Sequence, residues 1–118
     1  MVIDKALMSH GRSFASGRVA ERGERLRNLA RYYRAHLGQG PFPEVRCNAP
    51  WASAVVEADG TVRPCFFQPA VGNLRAKTFR ELLEGEMVRF RRGLDVARDS
   101  TCQRCVCSLR FGVRSRLR

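Results

Sequence analysis

The chain has 118 residues, enough for a modest core that a metal or cross-link would help to hold together. No run of about 18 apolar residues and no basic-then-apolar leader pattern occurs, so a membrane span and a secretory signal are both unexpected and the cytoplasm is the expected compartment. The net charge of +11 is uneven: Lys and Arg outnumber Asp and Glu 9 to 4 in residues 1–46, 8 to 7 in residues 47–101, and 5 to 0 in residues 102–118. Twenty of the 22 basic residues are Arg, a coding bias that needs no phosphate ligand, so specific nucleic-acid binding is not expected.

Residues 1–17 carry Gly and Ser punctuation and no sustained period, which predicts a loosely structured lead-in. His10 lies there alone and is set aside as a ligand. From Arg18, the residues Val19, Leu26, Leu29, Ala30, Tyr33 and Leu37 recur at helical spacing, with charged residues between them. An amphipathic helix is expected within residues 18–40, with Ser16 as its N-cap and Gly38, Gly40 and Pro41 as its stop. Its apolar stripe needs a partner surface.

Residues 41–46, PFPEVR, read as an extended linker to the segment 41–107. In Ala52–Glu57, Asp59-Gly60 and Thr61–Arg63, alternation followed by a turn and a return predicts a β-hairpin, which brings Cys47 and Cys65 to one open end. Phe66, Phe67 and Pro69 form an apolar rim, and Val71-Gly72-Asn73-Leu74 reads as a turn. Thr78 and Glu81 match a capping box for a short helix with Phe79, Leu82 and Leu83 inward; after Gly85 a second helix, Glu86 to Arg92, turns Met87 and Phe90 inward. Asp95 to Thr101 is a polar loop, and Glu57, Asp59 and Asp99 are read as surface carboxylates. Residues 108–118 form a basic, solvated tail. The expected class is α+β: an N-terminal amphipathic helix, then a β-hairpin with short helices around a four-cysteine metal-cluster site.

Cys102 and Cys105 make a CxxC pair in which one tight turn presents two thiolates, and Cys47 with Cys65 completes a set of four. Paired spacing, a reducing compartment and an odd total of five cysteines disfavour disulfides. By spacing alone, the set suits structural zinc or an iron-sulfur cluster, and a zinc-ribbon module touching nucleic acid or protein is the alternative.

The string Cys47-Asn48-Ala49-Pro50-Trp51, then Asp59-Gly60, Pro64-Cys65, Gly72-Asn73-Leu74 and the terminal CxxC, resembles the C-terminal SPASM or twitch extension of radical S-adenosylmethionine enzymes. The family's spacing of Cys, 9 to 15 residues, Gly, four residues and Cys is met by Cys47, Gly60 and Cys65. The resemblance implies that Cys47, Cys65, Cys102 and Cys105 ligate one [4Fe-4S] cluster, with Cys107 a spare thiol or substitute ligand. It implies an accessory role, electron transfer or substrate positioning in peptide or protein maturation, beside a radical S-adenosylmethionine barrel. The CxxxCxxC motif of such a barrel does not occur in these residues, so this chain is not expected to run radical chemistry alone. The amphipathic helix is expected to be the last helix of that barrel.

Overall fold

A computed structural model describes residues 2–107; the basic tail expected at 108–118 lies outside them. The chain divides into two compact units, Met1–Pro43 and Glu44–Arg118.

The first unit is helical: α1 spans Val2–Ser9, α2 Gly11–Ala15 and α3 Gly23–His36. The lead-in expected to be loose therefore forms two short helices. Ile3 and Leu7, four residues apart, give a stripe too short to stand out as a period, and it is packing that stabilises it: the Leu7 side chain abuts Gly23 at the start of α3, and Arg27 Nε lies 3.3 Å from Asp4 Oδ1. Ser16 closes α2 as its C-cap, its N–H reaching the Arg12 carbonyl and the following Gly17 N–H that of Phe14, instead of opening a helix at Arg18. The long helix starts five residues later, after an extended Arg22. Tyr32 and His36 at the end of α3 and Phe42 beyond it pack edge to face, with ring centroids 4.6 to 5.9 Å apart. On α3 only Ala35 is buried; Leu29, Tyr33 and Leu37 stay 36, 60 and 71% exposed.

The second unit is built on a three-stranded antiparallel sheet in the order β1-β2-β3, with β1 Val55–Val56, β2 Thr61–Arg63 and β3 Gly72–Asn73. The hairpin has Val56 opposite Val62 and turns through Asp59-Gly60, where Gly60 adopts φ +88, a conformation that disfavours side chains. Asp59 Oδ1 accepts from the Thr61 N–H at 2.9 Å, tightening the turn. The stretch expected to be a turn supplies the third strand. Gly and Asn are poor strand formers, which hides β3 from a propensity argument. Both residues have specific work: Asn73 Nδ2 donates to the Asp59 carbonyl (3.2 Å) and to Thr61 Oγ1 (3.4 Å), while Gly72 lets the sheet approach Leu82.

Three further changes concern helices. Residues Ala49–Ala52 form a short helix, α4, with Pro50 in its first turn, so Ala52 belongs to a helix and the first strand is shorter than expected. The Thr78–Glu81 capping box is formed as expected and opens α5 (Phe79–Glu84), followed by α6 (Glu86–Gly93). Phe79, expected inward, is 42% exposed: as the first helical residue it lies beyond the edge of the core. That core is Val62, Leu82 and Met87, flanked by Ala54, Val71 and Leu83. A last short helix, α7 (Ser100–Gln103), replaces the end of the expected polar loop.

A methyl group at Gly72 would sit 2.4 Å from Leu82 Cδ2 in a core that is already filled. Gly72→Ala is expected to destabilise the protein by about 1–3 kcal/mol through overpacking. Leu82→Ala should cost about 2–5 kcal/mol by leaving a cavity. Because the new methyl would occupy that cavity, the double variant should lose clearly less than the sum. Urea unfolding of the three variants checks this, and strict additivity would show that Leu82 is not what the methyl meets.

Candidate metal centre

Each cysteine is placed by a separate local device. Cys47 precedes α4, and its sulfur accepts the Ala49 N–H at 3.4 Å in that helix's first turn. The hairpin alone does not bring it to Cys65, because α4 intervenes between Cys47 and β1. Cys65 follows β2 across a fully buried Pro64, which ends strand pairing. Cys102 lies in α7 and is buried; its N–H donates to Asp99 Oδ1 at 2.8 Å, making Asp99 the N-cap. Cys105 follows in the turn after α7, its N–H bonded to the Cys102 carbonyl at 3.1 Å. Its sulfur accepts the Cys107 N–H at 3.3 Å.

These devices bring Cys47, Cys65, Cys102 and Cys105 around one cavity of about 60 Å³, and Cys107 lines it too. Val45, Pro50, Val55, Phe66 and Phe67 make the rest of the wall chiefly apolar. All five cysteines are free thiols. Among the described residues, no three His, Cys, Asp or Glu side chains converge on one point as the ligands of a single metal ion do. The sulfurs line one cavity, a donor set of soft ligands with an apolar surround that fits an iron-sulfur group.

Burial pushes the Cys102 thiol up to about 11; the Gln68 hydrogen bond pulls it back and Asp99 raises it further. Cys105 is also raised, first by burial and then by the neighbouring cysteines, against the lowering effect of the Cys107 N–H. Asp99 is held below the ordinary carboxylate value, chiefly by the Cys102 N–H. Asp99 is thus a half-buried structural acceptor, in contrast to the surface carboxylate expected. Asp-Ser-Thr-Cys carries an N-cap signature that could have revealed it. Gln68 is the residue that sequence reasoning missed: it is 2% exposed, and its Nε2 donates to Asp99 Oδ1 (2.8 Å) and to Cys102 Sγ (3.3 Å). Its only signal is a polar side chain inside the apolar run Phe66-Phe67-Gln68-Pro69.

On the far side of α4 an open cleft of about 510 Å³ runs between Trp51 and Leu94, with Arg46, Asn48 and Asp95 along it. Cys47 and Val45 line both this cleft and the thiol cavity. Arg91 braces the wall from α6, donating through Nε to the Pro50 carbonyl at 2.6 Å. Among the described residues no helix is long and apolar enough to cross a membrane.

The Cys102 shift has a measurable consequence in metal-free, reduced protein. The thiol ordinarily ionises near 9.0 and in the folded state near 11, so below pH 9 both states are protonated and its contribution is fully present. As pH rises from 9 through 11 the unfolded state loses the proton first, and that contribution is lost. The stability difference between the parent chain and Cys102→Ser, which has no thiol to ionise, should therefore move against the parent across this window. A difference constant from pH 8 to 11 in denaturant titrations would contradict it.

Comparison with curated proteins and with solved structures gave no match. The family model for SPASM, described as an iron-sulfur cluster-binding domain, matches residues 47–106, from the first cysteine to the residue after Cys105. With half the chain inside that match, and the thiols at both of its ends gathered round one cavity, the chain belongs to the SPASM family of iron-sulfur cluster-binding domains.

Proposed function

We propose that this chain holds one [4Fe-4S] cluster on Cys47, Cys65, Cys102 and Cys105 and serves as the accessory domain of a radical S-adenosylmethionine barrel. The observation that carries the cluster assignment is the cavity itself: four thiols of the family spacing line one chiefly apolar space. Zinc bound by four thiolates would draw every sulfur to about 2.3 Å from one centre. The cubane of a four-iron cluster asks for one sulfur per iron at the corners of a larger body. Cys105 is favoured over Cys107 as fourth ligand because it completes the CxxC turn from Cys102 and its sulfur receives the Cys107 amide.

When bound, such a cluster supplies a site that accepts or gives up a single electron. The chain's own residues would hold it in a chiefly apolar wall: Phe66 and Phe67 line the cavity with Val45 and Val55, and Pro50 there is fully buried. Substrate positioning is supported by the cleft beside Trp51, whose shared wall at Cys47 would bring a peptide or protein segment alongside the cluster. The barrel assignment is supported by α3, where Leu29, Tyr33 and Leu37 leave an exposed apolar stripe suited to covering by a further domain. The radical step belongs to that barrel, since the CxxxCxxC spacing that would hold the second cluster and S-adenosylmethionine does not occur in these 118 residues.

Anaerobic purification or reconstitution should yield a brown protein absorbing near roughly 400 nm, with about four iron and four sulfide per chain. Cys65→Ser should abolish cluster retention, whereas Cys107→Ser should leave it largely intact. Stoichiometric zinc without sulfide would overturn the cluster assignment, and equal losses in the two variants would overturn the choice of the fourth ligand.

A further inference from the structure

We propose that Gln68, oriented by Asp99, is a positioning residue for Cys102: it fixes that sulfur at the cavity and sets the reduction potential of the cluster the sulfur holds. The inference rests on the reading that Cys102 is a cluster ligand. Its starting point is that Gln68 is the one buried polar side chain among the described residues. Burying an amide is costly unless its hydrogen bonds are made, so a buried Gln in an apolar run points to defined partners.

Those partners form a closed ring. The Cys102 N–H donates to Asp99 Oδ1 at 2.8 Å, Gln68 Nε2 donates to the same oxygen at 2.8 Å, and Gln68 Nε2 also donates to Cys102 Sγ at 3.3 Å. A carboxylate only accepts, so rotating the amide by a half-turn would set its oxygen against Asp99. Asp99 is itself anchored as the N-cap of α7. The carboxylate therefore dictates which end of the amide faces the sulfur, and that end is the donor. Both amide hydrogens are then committed to acceptors, an arrangement matched to a sulfur that accepts.

The electrostatic consequence has a sign. A donor at a ligating sulfur stabilises the more electron-rich, reduced cluster over the oxidised one, which raises the potential. A nearby carboxylate charge disfavours the added electron and lowers it. Gln68→Met keeps the length of the side chain and removes the donor; Asp99→Asn keeps an oxygen for both N–H groups and removes the charge. The two substitutions should move the potential in opposite directions.

The test is a spectroelectrochemical titration of full-length protein, reconstituted anaerobically, with iron and sulfide measured in each sample. The expected result is a more negative midpoint for Gln68→Met and a more positive one for Asp99→Asn, both at parent-like iron content. A parent-like midpoint in either variant, or shifts of the same sign, overturns the inference while leaving the cluster reading intact. Failure of the parent itself to take up iron and sulfide overturns the cluster reading instead, and the inference with it. If Gln68→Met folds by circular dichroism but loads no cluster, its metal-free form is alkylated and the labels are mapped by mass spectrometry. Faster labelling at Cys102 than in the metal-free parent supports the positioning role, and an unchanged rate overturns it.

Discussion

Gathering five sulfurs around one apolar cavity runs against ordinary electrostatics. Burial disfavours thiolates, and each sulfur that ionises raises the cost for the next. Cys102 and Cys105 register that cost in their raised ionisation. The thiols thus cannot be expected to assemble the site themselves; the backbone must place them. The fold meets this requirement with a series of short-range devices: the first turn of α4 for Cys47, Pro64 for Cys65, the Asp99 cap for Cys102, and the turn that follows for Cys105.

The sheet and helices behind the cavity make those devices rigid relative to one another. Asn73 ties the third strand to the hairpin turn through Asp59 and Thr61, and β2, which leads on to Cys65, lies between β1 and β3. Leu82 and Met87 pin α5 and α6 beneath the sheet at Val62. Arg91 then carries that rigidity from α6 to the carbonyls of Pro50 and Ser53, next to the Cys47 segment. A half-buried guanidinium with its donors on backbone oxygens suits a brace at the cavity wall.

The parts legible in the sequence were those encoded by local chemistry. The Asp59-Gly60 turn, the Thr78–Glu81 capping box and the CxxC spacing each depend on a few adjacent residues, and each has the expected geometry. The parts that were hidden depend on residues far apart in sequence. Gly72-Asn73 is a strand because Val62 and Thr61 offer it a ladder, against its own propensity. Helix α1 owes its order to α3, a partner that no window of eight residues contains. Gln68 becomes part of the site only because Asp99 and Cys102, more than thirty positions later, fold onto it. Tertiary contact, which periodicity cannot register, decided all three.

Charge placement gives the site its chemical character. The segment 47–101 has eight basic and seven acidic residues, while the excess positive charge of the chain lies outside it. Within that segment Arg63 is engaged with Glu57 and the Gln68 carbonyl, and Arg91 with the carbonyls of Pro50 and Ser53. Among the described residues, neutral N–H groups donate to three of the sulfurs: Ala49 to Cys47, Cys107 to Cys105, and Gln68 to Cys102. Neutral dipoles orient a sulfur without cancelling its charge, as an adjacent guanidinium would. A cationic iron core held on these sulfurs would bring positive charge to balance them. The carboxylate belongs to the same ring: Asp99 accepts the Cys102 N–H and the Gln68 amide, and that amide also donates to the Cys102 sulfur.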